Sequence, residues 1–244
     1  AARELLGRTK LTQPRCRGPR EALRALMVAR RGAQRARVAS INELKALIVT
    51  APVGLREELR DLTVANLVDR CSRLRPDAHT DAEIRGTKLA MRLLARRISG
   101  LANELAVIDS EFKTLIADMA PQLLDEYGVG PVTAAQVLIS WSHPRRCRDE
   151  AAFGRLAGTA PIEANSGQTQ KRHRLCRGGD RHLNKAIHTI MLTRARSHPE
   201  TRAYIERRTT DGLTPREAKR CIKRYITRRL YRLLENPPTP PLTT

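Results

Sequence analysis

The residues most able to do chemistry are a small hydroxyl side chain, Ser166, and the dense cationic stretch that follows it. Residues 166–185 contain a single acid, Asp180, and six cations, which are Lys171, Arg172, Arg174, Arg177, Arg181 and Lys185. Gly167 lets the backbone approach a ligand closely, and Gly178-Gly179-Asp180 predicts a turn before a helix that begins near Arg181. Glycine-rich turns and helix N-termini offer N–H groups to phosphate. This stretch therefore predicts a serine nucleophile beside a polyphosphate-binding surface, and the alternative is a solvated basic loop whose serine bonds its own backbone.

A serine needs activation before it attacks phosphate, and arginine is a poor base because it stays protonated. The nearby arginines can instead stabilise developing negative charge. His173 and His182 are candidate proton carriers, and an ordinary surface or core role is the alternative for each. His173 and Cys176 alone are too few to hold zinc, so the sequence predicts no metal ligands in this stretch.

The charge of the chain points to a polyanionic partner. Among 244 residues there are 46 lysines and arginines against 25 acids, which gives a net charge of +21 and an isoelectric point of about 11.1. Such an excess is typical of nucleic-acid-binding proteins. Membrane surface is the competing polyanion, but the sequence has no apolar run of about 18 residues and no signal-type segment, so we expect a cytoplasmic protein without membrane contact.

Two scarce residue types narrow the kinds of contact further. Aromatic residues make up 3% of the chain, so we expect contacts mainly to phosphate rather than base stacking. The five cysteines are odd in number and widely scattered. They indicate neither a disulfide framework nor a zinc site.

Apolar residues from Met91 to Met119 recur at alternating steps of three and four, which is an a/d heptad seam. With Ile84 ahead of it, the seam consists of Ile84, Met91, Leu94, Ile98, Leu101, Leu105, Ile108, Phe112, Leu115 and Met119. Asp81 or Thr80 can cap the start and Pro121 marks the end, so we expect a helix of roughly 60 Å. A narrow apolar stripe is used by dimeric coiled coils, and self-association and packing within the chain both remain open.

A second helix is predicted from about Glu21 to Thr50, with apolar residues at Leu23, Leu26, Ala33, Leu44 and Leu47. We expect the two helices to pair as an antiparallel coiled-coil hairpin over residues 21–120, with residues 52–78 at its tip. A small helical domain follows at 121–235, so the predicted fold class is mainly α. The last residues, 236–244, contain four prolines and are predicted to be disordered.

The start of the small domain predicts a helix-hairpin-helix element. A helix that ends at Gly128, a Gly-Val-Gly hairpin and a helix led by Pro131 form the expected pattern. Hairpin amides of this kind can hold a DNA phosphate, which makes Gly128, Gly130 and Thr133 candidate nucleic-acid ligands. An ordinary helix turn that ends at glycine is the alternative.

The last predicted helix begins at Thr214-Pro215-Arg216-Glu217, with Thr214 as cap and Glu217 as its capping-box partner. From Arg216 to Arg232 there are eight lysines and arginines and one acid, Glu217. Apolar residues can face inward, whereas the cations Lys219, Arg220, Lys223, Arg224, Arg228 and Arg229 cannot all be buried. We expect Lys223 and Arg224 to contact nucleic acid, and a merely solvated face is the alternative.

In order along the chain, four stretches resemble the C-terminal half of bacterial insertion-sequence transposases of the IS110 class. They are GVGPVTA, AFGRLAGTAPI, the SG that precedes GGDRHLNKAIH, and AKRCIKRYITRRLYRLL. The resemblance implies that Ser166 is the serine that attacks a DNA phosphate and forms a covalent phosphoserine link. It also implies DNA and a structured guide RNA as partners, assembly of subunits through the coiled coil, and association with the bacterial nucleoid.

By the same resemblance, a RuvC-like domain with four acids (DEDD) precedes the coiled coil in the family. Residues 1–20 are expected to be the remnant of that domain or its linker, and the chain a truncated form. Asp81, Glu83, Asp109 and Glu111 lie along the heptad helix and are expected to be solvated rather than metal ligands. Mg²⁺ is therefore expected only together with the acidic domain, and no cofactor is expected in this chain.

Two functions from different classes follow from the sequence. The first is DNA transposition by a DNA-binding, RNA-guided recombinase that uses Ser166, inactive alone without its acidic domain. The second is a non-catalytic basic scaffold that binds nucleic acid through phosphate contacts. Basic clusters and low aromatic content fit both, and only the Ser-Gly context and the order of the four stretches favour chemistry.

Overall fold

The computed structural model describes residues 17–78, 81–163, 173–175 and 178–237. In these residues nine α-helices and one short strand pair follow each other as α1 (Pro19–Thr50), α2 (Val53–Leu59), α3 (Val64–Ser72), α4 (Ala82–Met119), α5 (Pro131–Trp141), α6 (Glu150–Leu156), β1 (Pro161–Glu163), β2 (His173–Leu175), α7 (Arg181–Ser197), α8 (Pro199–Thr210) and α9 (Pro215–Glu235). Single 3₁₀ turns lie at Pro76–Ala78 and Pro121–Leu123. The prediction of a mainly α fold is confirmed.

The chain divides into two compact units, and the division falls inside both long helices. One unit is Leu26–Glu111, and the other contains the described residues of Ala1–Ala25 and Phe112–Thr244. The sequence placed the boundary near residue 120, where Pro121 ends α4. A proline marks the end of a helix, whereas a compact unit is defined by packing, which changes partway along α4.

Helix α4 has the bounds that its end signals predict, and α1 extends over Pro19–Thr50, close to the predicted range of about Glu21 to Thr50. Asp81 Oδ1 accepts a hydrogen bond of 2.9 Å from the Ile84 amide and so caps α4, and Pro121 follows its last residue, Met119. In the Leu26–Glu111 unit, Arg30 donates to both carboxylate oxygens of Asp109 at 2.6 and 3.1 Å. An early residue of α1 thus meets a late residue of α4, which is the order expected for antiparallel helices.

The heptad seam is buried within the single chain along much of its length. Met91, Ile98, Leu105 and Ile108 are buried, and Leu94 and Leu101 are half-buried. Met91, Ala95 and Ile98 belong to a core that also contains residues of α1, α2 and α3, among them Leu44, Leu59, Leu67 and Cys71. Residues 52–78 therefore form two short helices that close this core, rather than a simple tip.

In the second unit, α5 is the central helix. Every residue from Ala134 to Trp141 is buried, as expected for a helix that is covered on all sides. Around it, α7 packs on α5, and α9 packs on α6, α7 and α8. On α7 the apolar residues Leu183, Ile187, Ile190 and Met191 are buried, and so are Ile222, Ile226, Leu230 and Leu234 of α9.

The prediction of an α-helix that ends at Gly128 is wrong. Pro121 stops α4 at Met119, and a 3₁₀ turn and bends carry the chain to α5. Gly128 does adopt the left-handed conformation that the sequence implied, with φ of +79°. A 3₁₀ turn and bends, rather than an α-helix, thus lead into the hairpin.

Two elements have no counterpart in the sequence analysis. Helix α8 begins at Pro199 after His198, whose side chain accepts a hydrogen bond from the Thr201 amide. Strands β1 and β2 pair antiparallel, with Pro161 opposite Leu175 and Glu163 opposite His173. Three residues in each strand are too few to show an alternating pattern, so their pairing depends on the surrounding fold.

Candidate nucleic-acid interface

The strand pair brackets the connection that carries Ser166. Residues 164–172 join β1 to β2 and lie outside the described residues, as do 176 and 177. Where the chain is described again, the Asp180 amide donates a 2.7 Å hydrogen bond to the Leu156 carbonyl at the end of α6. Gly179 has φ of +115°, and a Cβ there would lie 2.5 Å from the same carbonyl oxygen. Only glycine therefore fits at this point of return.

Asp180 fixes the start of α7. Its Oδ1 accepts hydrogen bonds from the amides of His182 (2.8 Å) and Leu183 (3.1 Å), and its Oδ2 accepts from Ser140 Oγ at 2.6 Å. Burial raises the pKa of Asp180, but the hydrogen bonds from Ser140 and the two amides outweigh burial and leave the pKa below its ordinary value. The one acid of the basic stretch is thus a helix cap tied to α5.

Polar side chains join the end of α6 to α7 and α9. Asn184 of α7 donates to the carbonyls of Ala157 (2.8 Å) and Gly158 (3.1 Å) just after α6. Its Oδ1 accepts a 3.0 Å hydrogen bond from Lys223 Nζ of α9. Burial lowers the pKa of Lys223. Asn184, Lys223 and the carbonyls of Ala157 and Gly158 form a polar platform, which fixes the chain just before β1 begins.

A cavity of about 440 Å³, which we call the arginine cavity, opens beside the first residue of β1. Its lining includes Arg155, Arg224 and Arg228, the hydroxyl side chains Thr159 and Thr227, and Pro161. The two threonines are hydrogen-bonded to each other at 3.0 Å. Three guanidinium groups at one cavity are suited to an anion such as a phosphodiester.

Two carboxylates also line the arginine cavity, and both are engaged. Asp149 caps α6 through the Ala152 amide at 2.7 Å, and Glu150 accepts from Arg228 and Arg232 at 2.5 and 2.8 Å. The bond from Arg228 is the largest cause of the lowered pKa of Glu150. Among the described residues, Arg155 and Arg224 form no ion pair, so the charge balance of the cavity favours an anion.

The hairpin at Gly128 lines a second cavity, of about 510 Å³, together with Thr189 and Thr193 of α7. Its amides are partly used within the turn. The Val129 amide donates to the Glu126 carbonyl at 3.0 Å, and the Gly130 amide donates to Thr133 Oγ1 at 3.0 Å. Gly130 and Thr133 were predicted as phosphate ligands, but they bond each other. The Gly130 amide is therefore not a free donor.

Ion pairs with acids of the same unit reduce the number of α9 cations that are free to bind an anion. Arg228 and Arg232 pair with Glu150, and Arg229 pairs with Glu126 at 2.9 Å, which also holds Arg194. Arg220 and Arg224 are exposed, whereas Lys223 is only 8% exposed. Of the two cations that we expected to contact nucleic acid, Arg224 is accessible at the surface, and Lys223 is mostly withdrawn into the polar platform.

The other predicted site residues divide between described and undescribed parts of the chain. Ser166, Lys171, Arg172 and Arg177 lie outside the described residues, and Arg174 is described only as a backbone position in β2. Arg181 and Lys185 are exposed on the first two turns of α7. The roles of all these residues remain predictions.

Sequence reasoning missed Arg155, Asn184 and the pair of Thr159 and Thr227. Arg155 lies on a short helix without a charge cluster of its own, and the threonines are 68 residues apart in sequence. The signal for Asn184 was weak, a single amide within an otherwise basic helix start. Only the packing of α9 on α6 and α7 brings these residues together.

Comparison with known proteins finds a family to which part of this helical unit is similar. Residues 121–206 match the model of the transposase IS116/IS110/IS902 family. The matched segment runs from the end of α4 into α8 and includes the hairpin, the strand pair and the position of Ser166.

One relative carries the same family designation in its name. The chain is 24% identical over 145 residues to the "Insertion element IS110 uncharacterized 43.6 kDa protein" of Streptomyces coelicolor, an alignment that covers 59% of the chain and 36% of the relative. Both similarities are therefore to proteins that carry the IS110 designation. The aligned part therefore spans about a third of the relative's length.

None of the helices in the described residues is long and apolar enough to cross a membrane.

Proposed function

We propose that the chain acts in DNA transposition and that Ser166 is its nucleophile. The observation that carries the proposal is the family match over residues 121–206, which contains Ser166. Two features of the fold support it. The strand before Ser166, β1, begins at the arginine cavity, which α6 helps to line. The segment after β2 returns to the end of α6, where the Asp180 amide bonds the Leu156 carbonyl. A nucleophile is useful only where its substrate phosphate is held.

In the proposed step, Ser166 Oγ attacks the phosphorus of a DNA phosphodiester. A serine–phosphate bond forms, one bond from phosphorus to a deoxyribose oxygen breaks, and that oxygen leaves with a proton. The hydroxyl proton of Ser166 passes to a base, for which His182 at the start of α7 remains a candidate. Arginines near the phosphate stabilise the additional negative charge of the transition state. Arg155 and Arg224 are suited to holding the DNA backbone beside that point.

A metal ion is also implied by the resemblance to the IS110 class. Among the described residues no group of three or more His, Cys, Asp or Glu side chains lies close enough to hold one. Asp109, one of the acids on the heptad helix, is paired with Arg30. The described side chains therefore do not fit a Mg²⁺ site. A role for Mg²⁺, for a guide RNA and for an acidic domain is proposed only because the chain resembles the IS110 class.

A covalent adduct tests the nucleophile. The full chain is incubated with labelled DNA that carries the ends of an IS110-type element, with Mg²⁺, the cognate RNA and an acidic domain of the family as a separate polypeptide. We expect a protein–DNA adduct that survives denaturing electrophoresis and is lost in Ser166→Ala. Duplex affinity of that variant should stay within about twofold, since one hydroxyl adds little to many phosphate contacts.

The control variant is Ser99→Ala, which removes a similar hydroxyl from α4, outside the family match. An adduct that persists in Ser166→Ala overturns the assignment of the nucleophile. If even the unaltered chain forms no adduct but binds DNA, the non-catalytic scaffold is the correct function.

A further inference from the structure

Tyr225 is an aromatic ring on the most basic helix of the protein, and it is 55% exposed. The sequence has only four tyrosines, one tryptophan and two phenylalanines. Both phenylalanines, Phe112 and Phe153, are fully buried. A large exposed ring in a chain with so few aromatic residues is not needed for the core, and it adds apolar surface to a face otherwise made of arginines.

The ring is held in place by a second tyrosine. Tyr204 of α8 contacts Tyr225 edge to face, with ring centroids 5.7 Å apart and an angle of 85° between the planes. The Arg207 guanidinium lies 5.6 Å from the centre of the Tyr204 ring, a distance typical of a cation–π contact. Burial is the main cause that raises the pKa of Tyr204 to about 12. Tyr204 is thus a fixed neutral support, and Tyr225 is the partner that faces solvent.

Positive charge flanks the exposed ring on α9. Arg224 precedes it in sequence and lines the arginine cavity, and Arg228 follows one turn later. The bond from Arg228 to Glu150 holds that guanidinium at the cavity rather than over the tyrosine. A nucleotide whose phosphate is held by Arg224 would lie next to Tyr225, the following residue of α9.

We infer that Tyr225 stacks on an unpaired nucleobase of a nucleic acid whose phosphates are held by Arg224 and the arginine cavity. Aromatic side chains combined with a cationic groove are how proteins bind unpaired strands, because every base has a face that can stack. In duplex DNA the base faces are already covered, so a ring on a helix surface would gain little there. A protein partner fits this face less well, since charged residues are depleted at the cores of protein interfaces.

This inference needs a nucleic-acid partner, as the proposed function does, but it does not require catalysis by Ser166. It adds one base contact to the expectation that contacts are mainly to phosphate. That expectation came from low aromatic content, which says how many rings are present but not where they lie.

Binding of the full chain to three probes of equal length tests the inference. The probes are a single-stranded oligonucleotide, the same backbone with abasic sites, and a blunt duplex. We expect Tyr225→Ala to weaken binding to the single strand by about tenfold, as for the loss of one stacked base. Binding to the abasic strand and the duplex should change by less than about twofold, because the phosphate contacts remain.

Tyr225→Phe keeps the stacking surface and should bind the single strand like the unaltered chain. Leu192→Ala is the control for loss of an exposed apolar side chain, since Leu192 on α7 is 47% exposed. Deoxyribose and ribose versions of the single strand show which nucleic acid supplies the base. Tyr225→Trp gives an independent signal, because a base stacked on the indole should quench its fluorescence and an abasic strand should not. The buried Trp141 provides the baseline in the unaltered chain.

An equal loss on the single-stranded and abasic probes would overturn the inference, because Tyr225 would then only support the arginines. Intact single-strand binding by Tyr225→Ala with a smaller sedimenting mass would also overturn it and assign the face to a protein interface. A chain that binds duplex but no single strand refutes this inference and leaves the proposed function standing. A chain that binds no probe contradicts both.

Discussion

Lys223 Nζ donates a 3.0 Å hydrogen bond to Asn184 Oδ1, and this bond joins α9 to α7. Asn184 in turn donates to the two carbonyls that follow α6. Lys223 is 8% exposed, and burial lowers its pKa because the ammonium group has lost water. A charge that could have been a surface contact thus helps to position the base of the candidate site.

The first prediction concerns the pH dependence of this bond. Because the pKa of Lys223 is lower in the folded chain than its ordinary value of 10.5, the folded state is penalised while the ammonium is charged. This penalty is relieved as pH rises from the folded pKa toward 10.5. Lys223→Met removes this penalty at every pH. The free energy of unfolding of the variant, relative to that of the unaltered chain, should therefore fall at alkaline pH. Urea unfolding over that range measures this, with the exposed Lys185→Met as control. A difference that does not change with pH would show that Lys223 is not desolvated.

Asp180 should lose its stabilising role in acid. Its pKa lies below the ordinary value of 3.8, so its contribution is present above that value and is lost as pH falls through the lower folded pKa. Asp180→Ala removes an N-cap and a half-buried acceptor, and we expect a loss of about 2 kcal/mol at neutral pH. The difference from the unaltered chain should narrow as pH falls below 3.8. Asp125→Ala, at an exposed position, is the control, and an equal loss in both variants would contradict the cap.

Two glycines allow a matched test of the close approach beside α6. Gly179 and Gly212 both have positive φ, +115° and +89°, but a Cβ at Gly212 meets no atom within 4 Å. At Gly179 it would meet the Leu156 and Arg155 carbonyl oxygens at 2.5 and 2.7 Å. Gly179→Ala should therefore lower the free energy of unfolding by about 2 kcal/mol more than Gly212→Ala. Thermal unfolding of both variants measures the difference, and equal losses would mean that only the backbone conformation matters.

Burial of the heptad seam predicts different effects of charged substitutions at buried and exposed positions of α4. Ile98 is 2% exposed and Leu93, on the same helix, is 54% exposed. Ile98→Asp places a charge in the core of its unit and should cost about 3 kcal/mol or more, whereas Leu93→Asp should be tolerated. Circular dichroism on heating distinguishes the two. Sedimentation of Leu93→Asp then tests self-association without unfolding the helices. If the unaltered chain associates and the variant sediments with the same mass, the Leu93 surface is not the contact between copies.

Salt dependence tests phosphate binding at the arginine cavity. If six or more phosphates are contacted, the slope of log affinity against log salt concentration should be about −5 or steeper for duplex DNA. Arg155→Ala and Arg224→Ala should each make the slope shallower by about 0.9, because each removes one phosphate contact. Arg73→Ala, in the other unit and paired with Asp69, is the control. An affinity that is flat in salt contradicts the electrostatic interface.

Sequence determined the helices of this protein where local signals act alone. Pro121 ends α4, Asp81 caps its start, and Thr214 with Glu217 forms the capping box of α9, in which the Thr214 amide donates to Glu217 Oε2 at 2.9 Å. Heptad spacing placed the buried face of α4, and the glycine at 128 adopts the positive φ that its place in the turn required. These features depend on residues within a turn or two of each other, so the sequence carries them directly.

Only the tertiary structure decided which charges are available and which polar groups meet. Lys223 and Arg224 are neighbours in sequence, yet one is buried against Asn184 and the other lines the arginine cavity, because a helix turns by about 100° per residue. Thr159 meets Thr227 across the interior, and Tyr225 is supported by Tyr204 of a helix that the sequence did not indicate. The net charge of +21 predicted a polyanionic partner. Glu150 and Glu126 pair with four arginines, and these ion pairs determine which cations are left to bind that partner. Such contacts join residues far apart in the chain, so they arise from packing and not from local pattern.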